Sequence, residues 1–171
     1  MTEPMITPDY VRSMARYGAW QNSQMAQAME ALPTAALMQE RGAFWGSILG
    51  TANHALWGDA VWMTRFDGGP GPGVALAESA GMEPTLAAWS AARFRMDGRI
   101  RLWAEGLRAV DLLGQHRWYS GMLGREVEKP MALVVMHMFN HQTHHRGQIH
   151  AMLTAAGVEG PVSDLFLMPE A

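Results

Sequence analysis

The chain of 171 residues carries 13 Lys+Arg against 16 Asp+Glu, a formal charge of −3. Hydrophobic residues make up 49% and charged ones only 17%, against about 25% charged in an average soluble domain. That composition excludes disorder, supports one sizeable core and points to surface hidden in an oligomer.

The absence of cysteine excludes disulfides, thiolate zinc fingers, iron–sulfur clusters and a cysteine nucleophile, so any metal must be held by His, Asp or Glu. The slight acidity leaves no basic footprint for nucleic acid. The opening MTEPMITPDY lacks the basic and apolar regions of a secretory signal. No apolar run is long enough for a membrane span, so the expected location is the cytoplasm.

Thr7-Pro8-Asp9 reads as an N-cap, a first-turn proline and an acidic first turn. Tyr10, Met14, Tyr17, Met25, Met29 and Leu32 then form a stripe at helical spacing, broken once by Gln21 and ended by Pro33. The spacing predicts a second helix from about Arg41 to Phe66. DGGPGPG, residues 67–73, stops it. The connection to Glu83 is long enough for a crossover that leaves the next helix parallel to its predecessor.

In the third segment Leu86, Trp89, Arg93, Met96, Ile100, Trp103, Leu107 and Val110 follow the 3-4 alternation of a bundle seam. Arg93 interrupts it, and snorkelling is the expected reason, with a buried carboxylate pair as the other. Gly114 is the expected stop. Residues 116–130 suit a small hairpin, and Pro130 opens a fourth helix that ends before Gly157. The tail is expected to pack back through Leu165 and Phe166. These signals together predict one all-α domain over residues 1–171: a four-helix bundle with a long crossover between helices 2 and 3 and a hairpin before helix 4.

Five of seven histidines lie between His137 and His150. His137, His141 and His145 are successive i,i+4 neighbours, and His144 follows His141 by three. Imidazoles one helical turn apart share a face and can converge on one ion at about 2.0–2.1 Å. Core or solvated histidines are the bland alternative, and a cluster argues against it more strongly than a lone residue does. Spacing alone leaves His137/His141, His141/His144 and His141/His145 open as the pair. A third ligand must come from another helix. His54, at mid-depth in helix 2, suits this better than His116 in the hairpin. The nearest carboxylate competitor is Asp59.

NHQTHHRGQIHAMLTAAG, residues 140–157, resembles the terminal-helix signature of the DinB/YfiT-like family of metal-dependent enzymes. GSILGTANHALWGDAVWMTRF resembles its second-helix signature, Tyr17 to Asn22 its first-helix motif and SDLFLMPE its tail. The resemblance implies a four-helix bundle, a homodimer, and a divalent metal held by His54, His141 and His145. It also makes His144 a substrate-facing candidate and His137 a core or rim residue. The DNA polymerase of similar name is unrelated, and no nucleic-acid or membrane partner is expected.

Three neutral imidazoles leave a divalent ion its full charge and an open position. Zn is the first expectation and Ni the second, since spacing does not select a metal. By resemblance, the leading chemistry is transfer of a low-molecular-weight thiol onto a small-molecule electrophile. Metal-dependent hydrolysis, with His144 or Asp59 as base, is the alternative, although the helix lacks an HExxH pattern. A non-enzymatic metal-binding stress protein is the third reading. Gln148 is a candidate to orient a ligand imidazole. Arg146 suits an ion pair with Asp59 or another acid, or an anionic substrate. Trp57, Trp62, Trp89 and Trp103 read as core.

Overall fold

The computed structural model describes residues 5–170. It is mostly helical. Five α-helices are joined by short 3-10 turns and one antiparallel hairpin: α1 (Pro8–Glu30), α2 (Thr34–Met38), α3 (Ile48–Asp67), α4 (Leu86–Gly106) and α5 (Met131–Ala155), with strands β1 (Gln115–Ser120) and β2 (Arg125–Pro130) before α5. The strands pair from Gln115↔Pro130 to Ser120↔Arg125. None of these helices is long and apolar enough to cross a membrane.

The Thr7 hydroxyl accepts from Tyr10 N at 3.2 Å, as the Thr-Pro-Asp signal predicts. The second long helix begins later than its periodicity suggests, at the Ser47 cap. The preceding residues turn through Gly42 and Gly46, both at positive φ, where a side chain is strained. The third ends earlier than Gly114. After Gly106 the chain turns extended at Leu107, and Arg108 grips Asp111 with its guanidinium and backbone amide. Val110 therefore lies outside the helix and exposed.

α1 packs chiefly on α4, and α3 on α5. Two ion pairs, Asp59–Arg93 and Asp67–Arg99, climb α3 and α4 together, so these helices run parallel. The connection between them is fastened to α3. Asn53 Nδ2 donates to the Ala80 and Glu83 carbonyls, and Trp57 Nε1 to that of Val74.

Two apolar clusters fill the interior. One gathers Val11, Ala15, Met63, Ile100, Val135 and Phe139; the other gathers Met25, Met29, Ile48, Leu56, Trp89, Ile149 and Leu153. Between them in sequence level lies a polar layer that ties the four long helices. Gln142 Nε2 donates to Asp59 Oδ1 at 3.0 Å, and Arg93 Nη1 donates to Asp59 Oδ2 at 2.6 Å. Arg93 Nη2 sits 2.8 Å from Asp97 Oδ1 as an ion pair outside hydrogen-bond alignment, and Asn22 Nδ2 donates to the same oxygen at 2.9 Å. Arg93 is thus buried against carboxylates and does not snorkel. Its charge satisfies Asp59, which a seam position alone does not disclose.

The tail also departs from expectation. Leu165 and Phe166 face solvent, Phe166 at 84% exposure. The segment is held by its backbone instead: the Tyr17 hydroxyl donates to the Ser163 carbonyl, Gln21 Nε2 to that of Val162 and Arg16 Nη2 to that of Pro169. This explains the polar break in the α1 stripe, because buried Gln21 is the tail's anchor.

Candidate metal centre

His54 comes from the first half of α3, and His141 and His145 from successive turns of α5. The two helices are antiparallel here, since His54 meets His145 while Trp62, two turns on, meets His137. One potential ligand atom from each of His54, His141 and His145 lies within 4.8 Å of the others. His141 Nε2 and His145 Nε2 are 3.1 Å apart, close to the roughly 3.3 Å between neighbouring nitrogens on a tetrahedral ion with 2.0–2.1 Å bonds.

Supporting contacts set the rings. Gln148 Oε1 lies 2.7 Å from His145 Nδ1. A side-chain carbonyl only accepts, so Nδ1 carries the proton and Nε2 keeps its lone pair. The buried Ser79 hydroxyl lies 3.0 Å from His54 Nδ1; a proton on that nitrogen leaves Nε2 bare in the same way. Trp45 stacks on His54 with centroids 3.8 Å apart, and Trp57 lies on the ring at 5.8 Å.

Gly58 makes room for the third ring. A β-carbon there would lie 2.6 Å from His141 Cε1 and 3.0 Å from its Nδ1. Among the described residues, His141 Nδ1 is itself buried without a partner, a costly arrangement unless the ring has another use. A divalent cation fits this donor set: three converging imidazoles, two with a supported Nδ1, and one swung into a glycine cleft.

Electrostatics agree. Burial is the main cause that pushes His54 down to about 4 and His141 to about 3, and the neighbouring imidazoles add to it. Burial lowers His145 as well, against the pull of Gln148. All three rings are therefore neutral at pH 7, the form that donates to a metal.

A DinB-family model matches residues 5–171. The chain belongs to the DinB family. No curated protein matches the sequence significantly.

The other sequence candidates are placed as follows. His144 is exposed, its ring 4.8 Å from that of His145. His137 is exposed too, 6.1 Å from His141 ring to ring. Asp59 stands apart from the DinB histidine cluster, with both oxygens occupied by Arg93 and Gln142. Burial raises its carboxyl, and Arg93 opposes the rise. Arg146 reaches no acid among the described residues. Its Nη1 donates to Gln142 Oε1 at 3.4 Å, and its guanidinium lies 5.3 Å from the Tyr17 ring centre. Sequence reasoning missed Trp45, Ser79 and Gly58. Only Gly58 left a signal, a glycine inside a helical run; Trp45 and Ser79 arrive from loops.

Proposed function

We propose that the protein is a divalent-metal-dependent enzyme that transfers a low-molecular-weight thiol onto a small electrophile. On this reading it is a cytoplasmic homodimer of four-helix bundles. His54, His141 and His145 hold the ion, zinc first and nickel next. The observation that carries the reading is the convergence of three neutral imidazoles from two helices, with Nδ1 supported on two of them.

The ion, when bound, supplies the positive charge that favours ionisation of an incoming thiol. The chain's own residues do the rest. Ser79 and Gln148 orient two of the rings, and Gly58 admits the third. His144, exposed beside His145, passes the thiol proton to solvent. The sulfur electron pair then forms the bond to the electrophilic carbon, and the leaving group departs with its own pair. The sealed pairing of Asp59 removes one of the two bases that hydrolysis had available, so transfer is preferred.

The test is metal content and thiol consumption measured together. Wild-type protein is expected to hold stoichiometric metal and to consume thiol with at least one electrophile of a broad panel. His54→Ala, His141→Ala and His145→Ala are each expected to lose both. Stoichiometric metal in all three variants refutes the site. Metal without thiol consumption refutes the transfer.

A further inference from the structure

Arg65 lies on α3 one turn past Val61, beyond the histidine cluster and toward the hairpin. Its guanidinium carbon is 4.3 Å from the Trp62 ring centre and 5.5 Å from that of Trp118 on β1. The side chain is half-buried, yet among the described residues no carboxylate pairs with it and no acceptor receives its N–H groups. The acid on the same helix end is committed elsewhere: Asp67 holds Arg99 through two nitrogens. On the hairpin, Glu128 holds Arg117. Tryptophan faces offset part of the desolvation of a guanidinium. They leave its planar fork of donors unused, and that fork matches a carboxylate or phosphate.

The surroundings suit an anion. His116 stacks on Trp118 with centroids 5.7 Å apart, and its Nε2 is buried with no partner among the described residues. His137 packs edge-on against Trp62 at 5.2 Å. A neutral imidazole at either position keeps one N–H available as a donor.

This corner is continuous with the metal centre. Along the α3–α5 contact, His54 meets His145, Gly58 meets His141 and Trp62 meets His137. Arg65 follows Gly58 by seven residues, roughly 10 Å of helix at about 1.5 Å per residue. The geometry points to Arg65, held between Trp62 and Trp118, as the anchor for an oxyanion terminus on the small molecule whose other end reaches the three histidines. This inference rests on the thiol reading above and narrows its substrate to a thiol bearing a carboxylate or phosphate at that distance.

Two measurements decide it. In the first, zinc-loaded protein is titrated by calorimetry with eight-carbon thiols that end in a carboxylate, a phosphonate or a hydroxyl. At least one anionic thiol is expected to bind about tenfold tighter than the alcohol, a difference of about 1.4 kcal/mol. Arg65→Gln is expected to erase that gap while leaving the alcohol's affinity unchanged, and Arg65→Lys to keep part of it. The tighter of the two anions identifies the oxyanion. An absent gap, or one that survives Arg65→Gln, overturns the inference and leaves the metal-thiol reading standing.

In the second, metal-free protein is titrated with inorganic phosphate and with acetate, and the Arg65 Nε–Hε signal is followed by NMR. A saturable shift with either anion is expected. If none of the thiols binds zinc-loaded protein, the thiol reading fails by itself, and this signal still decides the role of Arg65. No shift with either anion overturns it.

Discussion

Helix α5 presents two i,i+4 pairs offset by a single residue, and they do opposite things. His141 and His145 face α3 and leave nitrogen lone pairs converging on one point. Gln142 and Arg146 face the polar layer, where Gln142 accepts from Arg146 and donates to Asp59. The second set is closed: two carboxylates (Asp59, Asp97) and two guanidiniums (Arg93, Arg146) balance in charge, with amides bridging them. The first set is electrically neutral and offers imidazole lone pairs on one side. One helix thus combines a fastening that neutralises itself with a site that asks for an ion, and a rotation of about 100° separates them.

Breaking the closed side should give the largest effect. Asp59→Ala leaves Arg93 buried beside a single carboxylate and is expected to lower unfolding free energy by about 3–5 kcal/mol, with or without metal. Denaturant titration checks this. Replacing Asp59 and Arg93 together by well-packed apolar residues is expected to recover most of the loss.

On the open side, His145→Ala is expected to weaken metal binding by more than the roughly 10–100-fold that loss of a supporting partner costs. Metal-free stability should change by only about 1 kcal/mol. Chelator competition and a thermal melt of the same variant show whether the two sets are separable. If the variant unfolds like Asp59→Ala, they are not.

Gly58→Ala sharpens the contrast further. Its helix should gain about 0.5–1 kcal/mol of backbone stability, while His141 is pushed out of place and metal affinity falls about tenfold. A rise in metal-free Tm with a fall in affinity is the expected pair of readings.

A pH slope tests the open side by another route. Folded His54 and His141 titrate at about 4 and about 3, against about 6.5 in the unfolded chain. Below pH 6.5 the unfolded chain takes up protons that the folded one refuses. Metal-free stability should therefore be intact above that pH, fall most steeply between about pH 6.5 and 4, where both rings count, and level off near pH 3. Denaturation midpoints across that range, with no metal present, test the sign.

Much of this was legible in the chain. Caps, breakers and periodicity located the long helices and the hairpin, because Thr7, Pro33, Pro130 and Gly157 act through local backbone preferences. The histidine spacing limited the candidates on α5, and the resemblance to DinB sequences singled out one pair with His54. Long-range partners were illegible. Arg93 looked like a snorkelling seam residue because its two carboxylates lie on another helix and one turn along its own. The start of α3 was misread because Phe44 and Trp45 extend the apolar run, whereas Gly42 and Gly46 turn the backbone at positive φ. Ser79 reaches His54 from a loop 25 residues away, and no periodicity connects them.

The C-terminal segment is gripped through its main-chain carbonyls at Val162, Ser163 and Pro169 by side chains that all belong to α1. Every amino acid offers that same oxygen. The identity of the tail's side chains is thereby uncoupled from its attachment, and the weight falls on the helix: exchanging Phe166 or Leu167 should leave the strap in place, whereas exchanging Tyr17 or Gln21 should unlatch it.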